Sequence, residues 1–247
     1  MSEAAVTTLV VAPEALAGSE HRIDGDAFHH LVRVKRLEAG AALRLVDGAG
    51  RARFAQLTSI TKREAVARLG DAAPSNEPAL AVELFVAPPK PERAAWLVEK
   101  ATEVGVVAIR FLPTGRAARA FGAAQLDRLR RIAIAAVEQC DRACIPALSA
   151  AESLDGVLGE LGRRATPVLV LDAGGASPFS GAFSSFTSEA PLRVAVLIGP
   201  EGGWTDEERA HFVASGAEVW SLGERALRVE TAAVVAAGLL LSSVLSR

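Results

Sequence analysis

Two segments near the carboxyl terminus contain residue types that bind small molecules and act on them. Residues 198–205 read IGPEGGWT, and their three glycines let the backbone approach a ligand closely and adopt positive φ. Residues 222–232 read LGERALRVETA and place two arginines and two glutamates between apolar segments, where charges need partners or a ligand. Each segment follows a predicted strand and precedes a predicted helix, so we expect two binding loops.

These loops lack the sequence signatures of phosphate-binding sites. Neither matches the P-loop pattern G-x-x-x-x-G-K-[ST], and the first predicted strand of the C-terminal region is not followed by G-x-G-x-x-G. A nucleoside triphosphate or a dinucleotide is therefore not expected. Glycine-rich loops without a lysine anchor suit a ligand held by backbone hydrogen bonds and apolar contact, such as an adenosine moiety without phosphates.

The elements around the loops alternate between strands and helices. Continuous apolar runs predict strands at residues 80–87, 106–112, 168–171, 194–198 and 218–222. Helices are predicted at residues 91–104, 125–140, 206–215 and 231–245. The pattern Thr205-x-x-Glu208 fits a capping box, which marks the start of one of these helices. The alternation predicts an α/β fold whose parallel sheet is covered on both faces and binds ligands at the carboxyl ends of its strands.

The N-terminal region has a different pattern. Short strands are predicted at residues 7–11, 42–46 and 52–58, which indicates a small β-rich module. The polar stretch 71–78 contains two prolines and reads as a linker, so we divide the chain into residues 1–74 and 75–247. Between residues 28 and 68, nine basic residues outnumber three acidic ones. Such a cluster is either a polyanion-binding surface or a solvated charged face.

Composition excludes several other classes of protein. The chain has 247 residues, of which 50% are hydrophobic and 23% charged, and a net charge of -2, which is a globular composition. Cys140 and Cys144 are too few for a disulfide framework or a structural zinc site, so we expect no metal. The first residues do not read as a secretory signal, and the apolar stretch 232–245 is too short to span a bilayer. We therefore expect a cytoplasmic protein that does not enter the membrane.

Several segments of the sequence resemble those of one known family. The runs GPEGG at 199–203 and LGxRxLRxETA at 222–232 look like the two signature loops of the bacterial 16S ribosomal RNA uracil-N3 methyltransferases, which belong to the SPOUT superfamily. The resemblance continues upstream through KxxEVGV at 100–106 and EQCxR at 138–142. The histidine pair His29-His30 and the run DGxG at 47–50 are similar to the PUA-like RNA-binding domain of that family.

This resemblance implies an architecture, a reaction and its partners. The fold would combine a C-terminal SPOUT-type parallel sheet, tied in a trefoil knot, with a small N-terminal PUA-like β-barrel. The reaction would transfer a methyl group from S-adenosylmethionine to N3 of a uridine in 16S ribosomal RNA, with the assembled small subunit as substrate. The superfamily also forms homodimers, commonly through the C-terminal helix, and the apolar stretch 232–245 agrees with this.

The same resemblance implies roles for individual residues. The residues expected to bind the cofactor are Ile198, Gly199, Pro200, Glu201, Gly202, Leu222, Gly223, Leu227, Arg228 and Thr231. Arg228 is also expected to stabilise negative charge on the uracil carbonyls, with Glu201 or Glu230 as proton acceptor or as the group that orients Arg228. Two simpler interpretations stay open: Glu230 pairs only with Arg225, and Glu201 only caps its loop.

RNA contacts are expected from two basic regions, one in the N-terminal module and one around the helix at 125–140. The residues concerned are His30, Arg33, Lys35, Arg36, Arg116, Arg119 and Arg142. Two other functions remain alternatives. The chain could be a non-catalytic RNA-binding assembly factor on the same scaffold, or a SPOUT methyltransferase that acts on another RNA.

Overall fold

A computed structural model describes residues 6–117, 121–177 and 193–245. The chain forms two compact units, one of Met1–Glu77 with Ile134–Ile145 and the other of Pro78–Ala133 with Pro146–Arg247. The first unit thus takes in a segment from the middle of the chain, which no single boundary drawn along the sequence includes. In the described part of the chain, no helix has both the length and the apolar character needed to cross a membrane.

The first unit is built on a curled five-stranded sheet with the order β1-β3-β4-β5-β2. Its strands are β1 (Thr7–Val10), β2 (Glu20–Ile23), β3 (Ala42–Val46), β4 (Ala52–Ile60) and β5 (Ala65–Ala72). Strands β1 and β3 are parallel, and the other pairs are antiparallel. The sequence predicts β1, β3 and β4 but misses β2 and β5, and β5 takes the first two residues of the predicted linker.

Between β2 and β3 the chain forms a short helix α1 (Gly25–Phe28), which continues into the π-helical segment His29–Val34. Apolar side chains from the strands and from this helical segment bury one another in the core of the unit; they include Leu31, Leu43, Leu45 and Leu57. The exposed side chains of the π-helical segment are His29, His30, Arg33 and Val34. The sequence did not predict this segment, because four-residue helices have too little periodicity to detect.

The motif DGxG at 47–50 is a tight turn between β3 and β4. Asp47 accepts hydrogen bonds from the backbone N–H groups of Ala49 and Arg51 and from the Arg51 guanidinium. Gly48 and Gly50 both have positive φ, and a methyl group on Gly48 would lie 2.6 Å from Ile145. The residues of this motif are therefore required by the backbone of the turn.

The second unit contains a six-stranded sheet with the order β11-β9-β10-β6-β7-β8, and all five strand pairs are parallel. Its strands are β6 (Ala81–Val86), β7 (Ala108–Phe111), β8 (Ala147–Ala150), β9 (Val168–Ala176), β10 (Arg193–Ile198) and β11 (Glu218–Trp220). The α/β class and the parallel sheet are confirmed. The trefoil knot stays a prediction.

Helices connect these strands. They are α2 (Pro91–Val104), α3 (Ala123–Cys140), α4 (Leu154–Arg163), α5 (Asp206–Ala214) and α6 (Val229–Leu245). Residues 134–140 of α3 belong to the first unit. The sequence misses β8 and α4, and α6 begins two residues earlier than predicted. The capping box at the start of α5 is confirmed, since Thr205 and Glu208 exchange hydrogen bonds through their side chains and backbone N–H groups.

Candidate functional site

The second unit has a cavity of about 280 Å³ where strands β10 and β11 end and β9 separates from β10. Both predicted loops line it, together with a third segment at residues 171–173. Of the residues expected to bind the cofactor, the lining includes Ile198, Gly199, Pro200, Glu201, Leu222, Gly223 and Leu227. Gly202, Arg228 and Thr231 lie beside lining residues in the sequence but do not line the cavity. The structure thus brings the two loops together around one cavity.

The loop after β10 lines the cavity and forms a tight turn beside a buried tryptophan. Gly203 has a φ of 71° and donates a hydrogen bond to the Pro200 carbonyl, at 2.8 Å, which closes a tight turn. A methyl group on Gly199 would lie 2.8 Å from the ring of the buried Trp204. The Trp204 indole N–H in turn donates to the Leu171 carbonyl at 2.9 Å. Gly199 is therefore needed where the loop passes over the indole.

The third segment follows the part of β9 that pairs with β10. That pairing ends at Leu171, and β9 then bulges before it rejoins β11, where Ala176 faces Trp220. Asp172, in the bulge, accepts a hydrogen bond from Arg209 of α5 at 2.7 Å, and this contact raises the pKa of Arg209. The sequence analysis did not identify residues 171–173 as part of the site, although an Asp-Ala-Gly-Gly run directly after an apolar strand is a detectable signal.

A turn after β7 lies against the loop after β10. Thr114 and Ala117 exchange backbone hydrogen bonds, and the Gly115 N–H donates to Glu208 Oε1 at 2.8 Å. Arg116, exposed on this turn, donates to the Gly202 carbonyl. Arg116 was expected to contact RNA, and the structure places its guanidinium beside the loop that lines the cavity.

The loop between β11 and α6 carries charged side chains at the opening of the cavity. Glu224 and Arg225 line the cavity and are exposed, and the exposed Arg228 follows at the start of α6. Gly223 has a φ of 107°, which a residue with a side chain adopts rarely. The Ala232 N–H donates to the Arg228 carbonyl at 2.9 Å, so α6 begins directly after Arg228.

Arg93, which the sequence prediction did not single out, lies between two of the predicted catalytic residues. One terminal nitrogen of its guanidinium is 2.6 Å from Glu201 Oε1, and Nε is 3.6 Å from Glu230 Oε1. Glu201 is exposed, whereas the Glu230 side chain is only 8% exposed. The ion pair of Glu230 is therefore with Arg93 on α2, and the interpretation that it pairs with Arg225 is not what the structure shows.

The residues expected to bind RNA fall into separate groups. His30, Arg33, Lys35 and Arg36 are all exposed, on the π-helical segment or just after it. Arg119 lies outside the described residues.

Arg142 is different, because its guanidinium is already occupied. Its side chain is 4% exposed and donates hydrogen bonds to both carboxylate oxygens of Glu77, and Oε1 of Glu77 also accepts from the N–H groups of Ala143 and Cys144. A buried arginine with this partner cannot reach a phosphate without breaking the pair. The contact favours a structural role for Arg142 over the expected contact with RNA.

Comparisons with known proteins agree with this description. A family model described as an RNA methyltransferase domain matches residues 76–241, and one described as an RNA methyltransferase PUA domain matches residues 23–70. The chain is 33% identical, over 92% of its length and 75% of the relative, to the Synechocystis protein named ribosomal RNA small subunit methyltransferase E.

Solved structures share the fold over nearly the whole chain. A Legionella pneumophila protein, solved in complex with the bound cofactor SAM, is 28% identical with a TM-score of 0.79, covering 97% of this chain and 98% of its own. The ribosomal RNA small subunit methyltransferase E of Neisseria gonorrhoeae, solved with S-adenosyl methionine, is 24% identical with a TM-score of 0.78, covering 97% and 98%. At this identity, the similarity to the Neisseria gonorrhoeae protein shows a shared fold alone.

Proposed function

Since this chain belongs to the RNA methyltransferase family that includes the ribosomal RNA small subunit methyltransferases E, we propose that it methylates N3 of one uridine in 16S ribosomal RNA. The chain is a ribosomal RNA methyltransferase that uses S-adenosylmethionine. The observation that carries the proposal is that both signature loops line one cavity.

The cavity suits an uncharged adenosine group joined to a charged amino-acid group. Ile198, Leu222 and Leu227 supply apolar surface, and the glycine-containing turn brings backbone to the same space. Glu201, Glu224 and Arg225 border the same space, so groups of both signs are available for an ammonium and a carboxylate. We assign the cofactor to these residues, with Gly202, Arg228 and Thr231 as neighbours that shape the loops.

When bound, S-adenosylmethionine supplies an electrophilic methyl group. The protein's own task is to hold the uracil in line, exclude water and manage the N3 proton. Arg228, exposed at the start of α6 close to lining residues, is proposed to stabilise negative charge that develops on the uracil carbonyl oxygens. The chain contains no tyrosine, so Glu201 or Glu230 is the proposed proton acceptor or the residue that orients Arg228.

Two groups of basic residues are proposed to bind the RNA. One is the exposed set in the first unit (His30, Arg33, Lys35 and Arg36), which suits phosphate contacts. The other is Arg116 beside the loop after β10. The assembled small subunit is the proposed substrate, and a cytoplasmic location follows from it.

A homodimer is also part of the proposal. Helix α6 is apolar around most of its surface and packs against α2. On these two helices Val235 and Trp96 remain 41% and 43% exposed, which is apolar surface that a second copy would cover. Sedimentation of the purified protein would test this part separately.

The decisive experiment is mass mapping of small-subunit RNA. RNA from a strain lacking the gene should lack one methyluridine, and purified protein with S-adenosylmethionine should restore it on isolated small subunits. A methylated base other than uridine, or a methylated ribose, would contradict the proposed specificity. A calorimetric titration that detects no cofactor binding would instead favour a non-catalytic assembly factor.

A further inference from the structure

Arg93 joins the two loops of the cavity through their carboxylates. Its guanidinium contacts Glu201, which belongs to the loop after β10, and faces Glu230, which belongs to the first turn of α6. Since Glu201 lines the cavity and Glu230 lies next to the lining residue Val229, one side chain spans both walls.

The position of Arg93 within α2 does not help that helix to form. Pro91 is the first residue of α2, so Arg93 is in the first turn, where the positive end of the helix dipole disfavours a cation. The two carboxylates supply the compensating charge. An arginine kept at such a position is therefore explained by its contacts with Glu201 and Glu230.

Glu230 gives independent support. Its side chain is more than nine-tenths buried, and Oε2 has no hydrogen-bond partner among the residues that the structure describes. A buried carboxylate oxygen of this kind is costly unless a cation lies nearby. The 3.6 Å separation from Arg93 Nε is an ion pair without a direct hydrogen bond, so Arg93 offsets the buried charge of Glu230.

We propose that Arg93 is a positioning residue for the cofactor site. By holding Glu201 and Glu230 at a fixed separation, it keeps the loop after β10 in register with the start of α6, which carries Arg228. The inference rests on the proposed function, because the experiment measures the binding of S-adenosylmethionine.

The test compares Arg93→Gln with the wild type by titration calorimetry with S-adenosylmethionine and by steady-state methylation of small subunits. We expect the Kd and KM for S-adenosylmethionine to rise about fivefold, as for loss of about 1 kcal/mol. The KM for the small subunit should stay unchanged, a split that general destabilisation would not produce. If Arg93 acts through Glu201, the effects of R93Q and E201Q on the Kd should be less than additive in the double variant R93Q/E201Q.

Arg164→Gln is the matched control. Arg164 also bridges two carboxylates, the buried Glu83 at 2.6 Å and Glu160 at 3.1 Å, but none of these residues lines the cavity. R164Q should leave the Kd for S-adenosylmethionine unchanged. Equal affinity in R93Q and wild type, or independent effects of R93Q and E201Q, would overturn the inference alone. A wild type that does not bind S-adenosylmethionine would overturn the proposed function together with it.

Discussion

Gly175 lies against the backbone of Trp220 so closely that a methyl group in its place would be 2.4 Å from the Trp220 carbonyl carbon. No side chain fits there, because backbone cannot move aside as a flexible side chain can. The contact holds the bulge of β9 against β11 and so positions two of the three walls of the cavity.

Gly175→Ala adds only a methyl group, but we expect this substitution to disrupt the site. We expect a loss of about 1–3 kcal/mol in the free energy of unfolding, as for other overpacked positions, and weaker binding of S-adenosylmethionine. Gly174→Ala is the control, since a methyl group there meets nothing within 4 Å. Thermal unfolding and calorimetry on both variants make the comparison, and equal behaviour would disprove the importance of the contact.

The two loops could be found from sequence because glycines and charges follow apolar strands there. The bulge after Leu171 could not be found in the same way, since its form depends on β9 leaving β10 to pair with β11. Arg93 was missed for a related reason. It is far from Glu201 and Glu230 along the chain, and only the parallel order of the sheet brings α2 beside both.

Parallel strands were predictable because they are buried continuously, as in β10, where residues 194–198 are all buried. Strands β2 and β8 are four residues long with few buried positions, so they carry no clear period. The segment 134–145 joins the first unit through contacts such as the hydrogen bond from Thr8 to Asp141. These two residues are far apart in the sequence, so their contact could not be predicted from it.

Arg228→Gln should affect chemistry more than cofactor binding. Arg228 does not line the cavity, yet it is proposed to donate to the uracil carbonyls. Removing one such donor lowers kcat by about 100-fold. The Kd for S-adenosylmethionine should change by less than about threefold, since uniform binding is retained. Arg163→Gln, an exposed arginine on α4, is the control for charge alone. Weaker cofactor binding with an unchanged kcat would instead make Arg228 a cofactor ligand.

Glu208→Gln should loosen the turn that carries Arg116. The Glu208 side chain is buried and accepts from the N–H groups of Thr205 and Gly115, so an amide would turn a donor towards one of them. We expect a loss of about 1–3 kcal/mol in the free energy of unfolding and a higher KM for the small subunit. Thr205→Ala removes the helix cap but keeps the bond to Gly115, so it should cost about 1 kcal/mol without the change in KM. An equal KM for the small subunit in Glu208→Gln and Thr205→Ala would argue against a link between the Gly115 contact and binding of the small subunit.

The buried pair of Glu77 and Arg142 predicts how stability depends on pH. Burial acts to raise the pKa of Glu77, but the hydrogen bonds and charge of Arg142 and the N–H groups of Ala143 and Cys144 outweigh it and hold the pKa below its ordinary value of 4.5. A carboxyl whose pKa is lowered by folding stabilises the protein above its unfolded pKa. That contribution is lost as the pH falls from 4.5 towards the lower folded value.

Glu77→Gln should therefore lower the free energy of unfolding by about 3 kcal/mol at pH 7, because Arg142 is left as a buried charge without its carboxylate. The difference from the wild type should shrink at pH 3, because the Glu77 carboxyl of the unfolded wild-type chain is then protonated and folding must displace that proton. Glu64→Gln, which removes an exposed ion pair with Arg22 in the same unit, should cost less than about 0.5 kcal/mol at either pH. Urea unfolding followed by circular dichroism at the two pH values measures all three proteins. A difference between Glu77→Gln and wild type that is constant with pH would mean that the Glu77 carboxylate does not contribute through its charge.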